Sequence, residues 1–398
     1  MKPLAFVQSE CKIAWLFPSL ARGFYWHPLL AEMTKIFPNM GTFTGHWSGF
    51  SPIYQNTFSV EEVGKFHFLR LKSATSGYGR GIIIPSLKII PKLLQFKPSV
   101  IMTAGFSLWT FLALTFKPIY KWKIVIIFDG VSPDIEDAIS IWRTYWRKFI
   151  SYFTDAFITN SQAGKKYLVQ TLEAKQQKVF AHPYEIPVPC HSETTNISKS
   201  PKSPLANIHN PTFLFVGQLI ERKGVFNLLE ACNLLKLRGY TEWNLVIVGD
   251  GPIQKDLKSF ARLKGIEGFI SWEGWIKNED LSYYYKTSDV FVFPTFEDIW
   301  GVAALEAMSS KLPILCSKLA GASELIENGS NGYSFDPNSP DELAHLMSFF
   351  IDNASLINRM GEKAGKSIES FTPEATANHL SQVIWSVIKQ KPPTLSKL

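Results

Sequence analysis

Unbroken apolar runs, each closed by a turn-forming cluster and followed by helical spacing, recur along this chain. KIAWLFP at 12–18, KIVIIFDG at 123–130, TFLFVG at 212–217, NLVIVGDG at 244–251, FISWEGW at 269–275, VFVFP at 290–294 and LPILCS at 312–317 are of this kind. A strand covered on both faces has no polar side, so it reads as a continuous run. Helical spacing follows at 28–37, 225–238, from about Ile253, and at 302–311. The segment 155–168, DAFITNSQAGKKYL, predicts a strand ending at Asn160-Ser161, a helix cap and a helix. After 312–317 the pattern leads through Gly321 to a predicted helix start at Ala322-Ser323-Glu324. Strands alternating with helices in this way predict parallel α/β sheets.

Between 187 and 211 the periodicity stops and Pro, Ser, Thr and Asn take over, as in a linker. The division is therefore 1–205 for one α/β unit and 206–375 for another. Residues 41–97 are broken by Gly and Pro and predict little, and the Gly77–Gly81 cluster is read as a loop because its spacing is wrong for GxGxxG. From Pro98 to Phe116 no residue is charged. The Thr103-Ala-Gly105 break and three hydroxyl residues favour strand, turn and buried helix over a membrane span.

Residues 139–153, ISIWRTYWRKFISYF, carry Trp142, Tyr145, Trp146, Phe149 and Phe153 at helical spacing among Arg143, Arg147 and Lys148. An aromatic stripe is first of all a packing surface, so most of these rings are expected to face the core. The alternative is a helix resting on a membrane.

Composition sharpens this picture in three places. With 398 residues, 46% hydrophobic and 19% charged, the chain is globular and long enough for two cores. Four scattered cysteines without a CxxC pair point away from a disulfide framework or zinc ribbon and toward a reducing cytoplasm. The first ten residues lack the features of a signal peptide. Third, the net charge of +7 is uneven: 23 Lys+Arg against 12 Asp+Glu give +11 in residues 1–205, and 18 against 22 give −4 in residues 206–398. A basic half suits an anionic partner, whether a membrane surface, a lipid-phosphate-linked substrate or nucleic acid; equally, its lysines keep an aromatic-rich domain soluble.

The chemistry concentrates at 290–311, VFVFPTFEDIWGVAALEAMSSK. A buried strand, a turn and a helix with free N–H groups make an anion site. Carboxylates beside it, Asp298 and Glu306, would repel phosphate and are better aimed at hydroxyls. A ligand with both groups is a nucleotide sugar. GQLIERKG at 217–224 brings Arg222 and Lys223 to a glycine and a helix start, where they could neutralise a diphosphate. Gly249-Asp250-Gly251-Pro252 is at most half of a dinucleotide fingerprint, since Gln254 replaces the third glycine. Arg22-Gly23 lies in the loop after the first strand, which is either where an α/β sheet holds ligand or an ordinary βα connection. Walker A, HExxH and GxSxG are absent.

Taken together, FVGQLIERKG, LVIVGDGP, the strand-loop-helix with ALEAM, LPILCS and AGASELIENGSNGYSF, with IIFDGVSPD, ITNSQAGKKYL and PYEIP earlier, resemble the retaining nucleotide-sugar glycosyltransferases of family 4. The resemblance implies the GT-B fold, two Rossmann-like doubly wound domains facing a cleft, with a C-terminal helix from about 376 packing back on the first domain. By that resemblance Lys223, helped by Arg222, holds the donor diphosphate. An arginine usually follows the first glycine, Gly217; here Gln218 stands there, which passes part of that contact to Arg222. The E-x7-E acids fall on Asp298 and Glu306, with Glu297 just outside. Glu306 would take the ribose hydroxyls and Asp298, or Glu297 in its place, the donor sugar. Gly249 and Gly251 would border the donor, and Gly301 and Val302 would offer backbone to the phosphate. A histidine common after the strand at 123–128 is replaced by Asp129, the candidate acceptor-side residue with Arg22 and Gly23.

The expected activity is retaining transfer of a sugar from a nucleotide-sugar donor to a hydroxyl of a glycan or lipid-diphosphate-linked acceptor in cell-surface polysaccharide synthesis. The setting would be the cytoplasm, peripheral at the inner face of the plasma membrane, with an anionic membrane surface as a further partner and no nucleic acid. No Asp-rich metal motif appears, so neither metal nor other cofactor is expected. Alternatives are a nucleotide-sugar 2-epimerase or a non-catalytic nucleotide-sugar-binding protein of the same fold.

Overall fold

The computed structural model describes residues 11–20, 24–65, 67–72, 80–130, 141–184, 211–277 and 280–389. In chain order the first unit contains β1 (Ile13–Phe17), α1 (His27–Ile36), β2 (Met40–Thr44), β3 (Val60–Glu62), a hairpin of β4 (His67–Lys72) and β5 (Arg80–Ile84), then α2 (Ile89–Phe96), β6 (Val100–Ala104), α3 (Leu108–Tyr120), β7 (Lys123–Phe128), α4 (Ile141–Phe153), β8 (Ala156–Thr159), α5 (Gln162–Lys166) and β9 (Val179–Ala181). Seven of these strands form a parallel sheet in the order β3-β2-β1-β6-β7-β8-β9.

The second unit follows: β10 (Thr212–Val216), α6 (Val225–Leu237), β11 (Asn244–Val248), α7 (Gln254–Leu263), β12 (Ile270–Gly274), α8 (Leu281–Thr287), β13 (Val290–Phe293), α9 (Val302–Ser309), β14 (Ile314–Ser317), β15 (Gly332–Phe335), α10 (Pro340–Asp352), α11 (Ser355–Ile368) and α12 (Pro373–Lys389). Its six strands are parallel in the order β12-β11-β10-β13-β14-β15. Both sheets reverse direction of winding beside their first strand, at β1/β6 and β10/β13. Those reversals open crevices at the carboxyl ends of the strands, where open α/β sheets bind ligands.

The apolar runs became central strands because helices cover both faces. Phe213, Phe215, Leu245 and Ile247 pack under α6, α7 and α10, while Leu214, Phe291, Phe293 and Ile314 pack under α9 and α11. In the first unit Trp15 and Phe17 lie in one cluster with Leu29, Leu30 and Phe37, joined by Ala377, Leu380, Val383 and Ile384 of α12. The last helix therefore leaves the unit that precedes it and closes the core of the first one. Thr376 Oγ1 donates to the Pro183 carbonyl at 3.3 Å at its start.

The uncharged stretch 98–116 holds β6 and all but the last turn of α3, capped by Ser107, which accepts from the Thr110 N–H. Among the described residues no helix is long and apolar enough to cross a membrane. At 160–161 the cap is Ser161, whose hydroxyl accepts from the Gly164 N–H at 3.0 Å; Asn160 instead accepts from the Tyr184 N–H at 2.9 Å.

Three expectations fail. The Gly77–Gly81 cluster is not wholly loop, since Arg80 and Gly81 begin β5; its other residues lie outside those described. The predicted helix at Ala322 is a single 3-10 turn, Gly321–Leu325. Asn331 ends it by accepting from the Glu327 N–H and donating to the Leu325 carbonyl, which turns the chain into β15. Third, the aromatics of α4 face outward: Trp142, Tyr145, Trp146, Phe149 and Phe153 are all exposed. Arg147 takes the inward position, its guanidinium over the rings of Phe106, Phe128 and Tyr167 and donating to the Tyr167 hydroxyl at 3.0 Å. Most of the linker read at 187–211 lies outside the described residues.

Candidate active site

The site is built at the β10/β13 crevice by two loops laced together. After β10, residues Glu221–Lys223 form a 3-10 turn that ends at Gly224 with φ +67°. A Cβ at Gly224 would lie 1.9 Å from the Pro294 carbonyl oxygen, so glycine alone lets this turn press on the end of β13. Phe296 N–H donates to the Arg222 carbonyl at 2.8 Å, and the Arg222 guanidinium donates to the Glu297 carbonyl at 2.5 Å. The buried Thr295 hydroxyl lies 3.0 Å from the Arg222 carbonyl oxygen and 2.8 Å from that of Glu297. The Arg222 guanidinium and the backbone that carries Lys223 are thereby tied to the end of β13.

Lys223 Nζ sits 5.2 Å over the Phe293 ring and 2.5 Å from Asp298 Oδ2, which is also 3.6 Å from Arg222 Nη1. These side chains are only 13%, 14% and 9% exposed respectively. Asp298 is fixed by its backbone, bridged to Ala320 and accepting from the Gly321 N–H at 3.0 Å. Of the two neighbouring acids, Asp298 is the one aimed at the cations. Glu297 contributes its carbonyl to them.

Glu306 lies on α9, whose first turn starts at Gly301 and Val302. Its carboxylate accepts from the Tyr285 hydroxyl of α8 at 2.8 Å. Burial pushes the Glu306 carboxyl above the usual range, and the tyrosine hydroxyl works against that rise. Tyr285 was missed in the sequence, where it is one of three consecutive tyrosines with no motif to mark it.

The second glycine loop is a support. A Cβ on Gly249 would stand 1.8 Å from the Gly217 carbonyl oxygen, and one on Gly251 2.1 Å from that of Leu219. The Asp250 carbonyl accepts from the Leu219 N–H at 2.9 Å. Loop 249–253 thus braces the loop that carries the cations. Gln218 is exposed at the start of that loop.

Across the cleft stands the end of β7. Asp129 accepts from the Tyr184 hydroxyl at 2.6 Å. Although solvent reaches the residue, protein crowds its carboxyl, and this desolvation raises its pKa while the Tyr184 bond lowers it. A Cβ on Gly130 would meet Ile299 Cγ2 at 3.1 Å, so the walls approach closely here. Glu324 ties them together: its carboxylate accepts from the Gln162 and Ala163 N–H groups at the start of α5, both at 2.8 Å. Arg22 and Gly23 lie outside the described residues. Among the described residues no group of three or more His, Cys, Asp and Glu is placed to hold a metal ion.

Two facing doubly wound domains with the polar site at a switch point are the GT-B architecture. Residues 196–367 match the model of the family "Glycosyl transferases group 1". An uncharacterized glycosyltransferase of Haemophilus influenzae is 31% identical over 172 residues, 43% of this chain and 48% of that protein. The O-antigen chain mannosyltransferase B of Escherichia coli is 32% identical over 143 residues, 35% and 37% of the two chains. The matched stretches span about half or less of these curated relatives. A crystal structure of Anabaena Alr3699/HepE in complex with UDP shares the fold, with TM-score 0.72 and 17% identity, covering 94% of this chain and 100% of that one.

Proposed function

We propose that this protein is a retaining glycosyltransferase that moves a sugar from a nucleotide-sugar donor to a hydroxyl of a glycan or lipid-linked glycan in cell-surface polysaccharide synthesis. The observation that carries the reading is the preorganised Arg222–Lys223 turn, which faces Asp298 and adjoins the Glu306 helix at the β10/β13 crevice. The UDP in the Anabaena structure and the O-antigen activity of the E. coli relative support the donor and the product class.

The chemistry follows from the parts. Breaking the sugar C1–O bond leaves its electron pair, and negative charge, on the departing diphosphate. Lys223, Arg222 and the free N–H groups at the start of α9 stabilise that charge in a site largely closed to water. Glu306 accepts from ribose hydroxyls, and Asp298 from the donor sugar once the diphosphate takes its cations. The acceptor hydroxyl attacks C1 from the face the diphosphate leaves, its proton passing to a phosphate oxygen. Asp129 borders the acceptor. The protein works in the cytoplasm, peripheral at the inner face of the membrane where lipid-linked acceptors lie.

A thermal-shift panel of UDP-, GDP-, ADP- and dTDP-sugars tests donor binding, because stabilisation grows with ligand concentration over its dissociation constant. One class of donor is expected to raise Tm, and Lys223→Ala and Glu306→Ala to abolish both the shift and transfer. Near-normal kinetics in both variants would sink the reading, and isomerised donor without acceptor would make the protein an epimerase.

A further inference from the structure

Helix α4 is mounted with its aromatic side outward. Ile141, Trp142, Tyr145, Trp146, Phe149, Tyr152 and Phe153 are exposed, Trp142 at 82% and Tyr152 at 80%, while Ile150 and Ser151 are buried. At 100° per residue the exposed set fills one contiguous arc. The rings from Trp146 to Phe153 touch one another: Trp146 meets Phe111 of α3 with centroids 4.6 Å apart and Phe149 at 6.2 Å, and Phe153 meets Phe149 at 5.2 Å and Tyr152 at 5.1 Å. Exposed Ile119 and Tyr120 at the end of α3 are among the same protein's bare apolar side chains. A connected apolar surface of this kind is rare on a soluble monomer unless something covers it.

Its chemistry selects the cover. Trp and Tyr are the side chains that seat at the headgroup level of a bilayer. Arg143 is exposed on the same helix, and a cavity of about 320 Å³ lies beside Phe153, bordered by Lys117, Lys121, Lys123 and Trp122. Asp155 pairs with Lys117 at 2.6 Å and with Lys123 at 3.8 Å, and Glu173 with Lys148 at 2.7 Å; Arg143 and Lys121 meet no carboxylate among the described residues. A second copy set face to face on this patch would oppose cation to cation. An anionic bilayer would not.

We propose that the α4 face, with the lysine-lined cavity at its C-terminal end, seats the protein on an anionic lipid surface, the aromatic rings entering the headgroup layer and the cations meeting lipid phosphates. As the crossover from β7 to β8, α4 runs back from the carboxyl end of the sheet toward the opposite end. The Trp142 end of the seat is therefore the end nearest the cleft, where a lipid-linked acceptor has to enter. The proposal rests on the membrane part of the functional reading and on none of its transfer chemistry.

The full chain is sedimented with phosphatidylcholine vesicles with and without phosphatidylglycerol, at low and high salt, alongside Trp142→Ser/Tyr152→Ser and Arg143→Glu, with the donor-sugar thermal shift measured on every sample. Expected are binding that needs phosphatidylglycerol and weakens with salt, a loss of about fivefold or more in Arg143→Glu, and loss of binding in the double variant, with donor shifts unchanged. Wild-type binding that ignores phosphatidylglycerol, or binding kept by the double variant, would overturn the proposal. So would a wild-type dimer that the double variant dissociates, which would make the face a contact between copies. Failed vesicle binding with an intact donor shift removes the docking surface alone; an absent donor shift removes the transferase reading and leaves the docking result standing.

Discussion

Replacing Asp298 by Asn should weaken the empty protein and tighten its grip on a nucleoside diphosphate. Asp298 Oδ2 lies 2.5 Å from Lys223 Nζ and 3.6 Å from Arg222 Nη1, with all three side chains nearly closed to solvent. The carboxylate pairs with the cations proposed to hold a diphosphate, so on that proposal a donor exchanges one anion for another. Asn keeps the shape and one acceptor but removes the charge. The loss lies between a charge-assisted hydrogen bond, about 1.5–3 kcal/mol, and the 3–5 kcal/mol of stripping one partner from a buried pair, so about 3 kcal/mol. For a unit of this size that lowers Tm by about 6–12 °C. The same term no longer opposes diphosphate binding, so UDP affinity should rise about tenfold or more, with a ceiling near a hundredfold. Transfer should fall, because the proposed sugar contact is weakened. Differential scanning fluorimetry with and without UDP, joined to titration calorimetry, reads all of these. An unchanged apo Tm together with equal or weaker UDP binding would refute the reasoning.

Tyr285→Phe removes the hydroxyl that favours the ionised form of Glu306, already raised by burial, so donor KM should climb by about tenfold and most steeply on the acid side. An unaltered pH profile of KM would count against that role. EDTA should leave transfer unchanged, and a loss restored by Mg²⁺ would show a metal requirement. Gly249→Ala, which forces a Cβ to 1.8 Å from the Gly217 carbonyl oxygen, should cost about 3 kcal/mol or more, checked by urea denaturation. Burial lowers the pKa of His27 to about 4, that of His182 to about 3 and that of His379, His182 being further depressed by its stacked neighbour His379. The unfolded chain therefore takes up these protons first as pH falls below the ordinary value of about 6.5. Stability is full above that pH and declines as pH falls, down to about 4 for His27 and about 3 for His182, by up to about 1.4 kcal/mol per unit for each histidine. Tm against pH should show this slope, and His182→Asn should flatten it.

The strands of the second unit were legible because burial on both faces leaves no choice but an unbroken apolar run, as in Phe213–Val216 and Val290–Phe293. The hairpin β4/β5 was not, since its strands come from a region broken by Gly and Pro and belong to neither large sheet. Helix α4 misled for a different reason. Amphipathic periodicity states that a helix has two faces but not which one meets the protein, and Arg147 found a better inner site, among Phe106, Phe128 and Tyr167, than any ring did. The 3-10 turn at Gly321–Leu325 was read as a helix because Asn331, which stops it, lies six residues beyond Leu325.

The spacing of Asp298 and Glu306 was visible, but their relation was not a matter of spacing. Asp298 belongs to a loop held by Ala320 and Gly321, and Glu306 to a helix braced by Tyr285. Two acids at that separation in a continuous helix would lie on nearly the same face; here Gly301 interrupts, with φ +103°, and α9 begins only after it. The reversal of strand order at β10/β13 sets the end of β13, and with it the loop and helix that carry the two acids, beside the turn that carries Lys223. That topology also gives Asp298 and Glu297 different partners. Arg222 draws in the Glu297 carbonyl as part of the scaffold, and the next side chain, Asp298, is the one delivered to the cations.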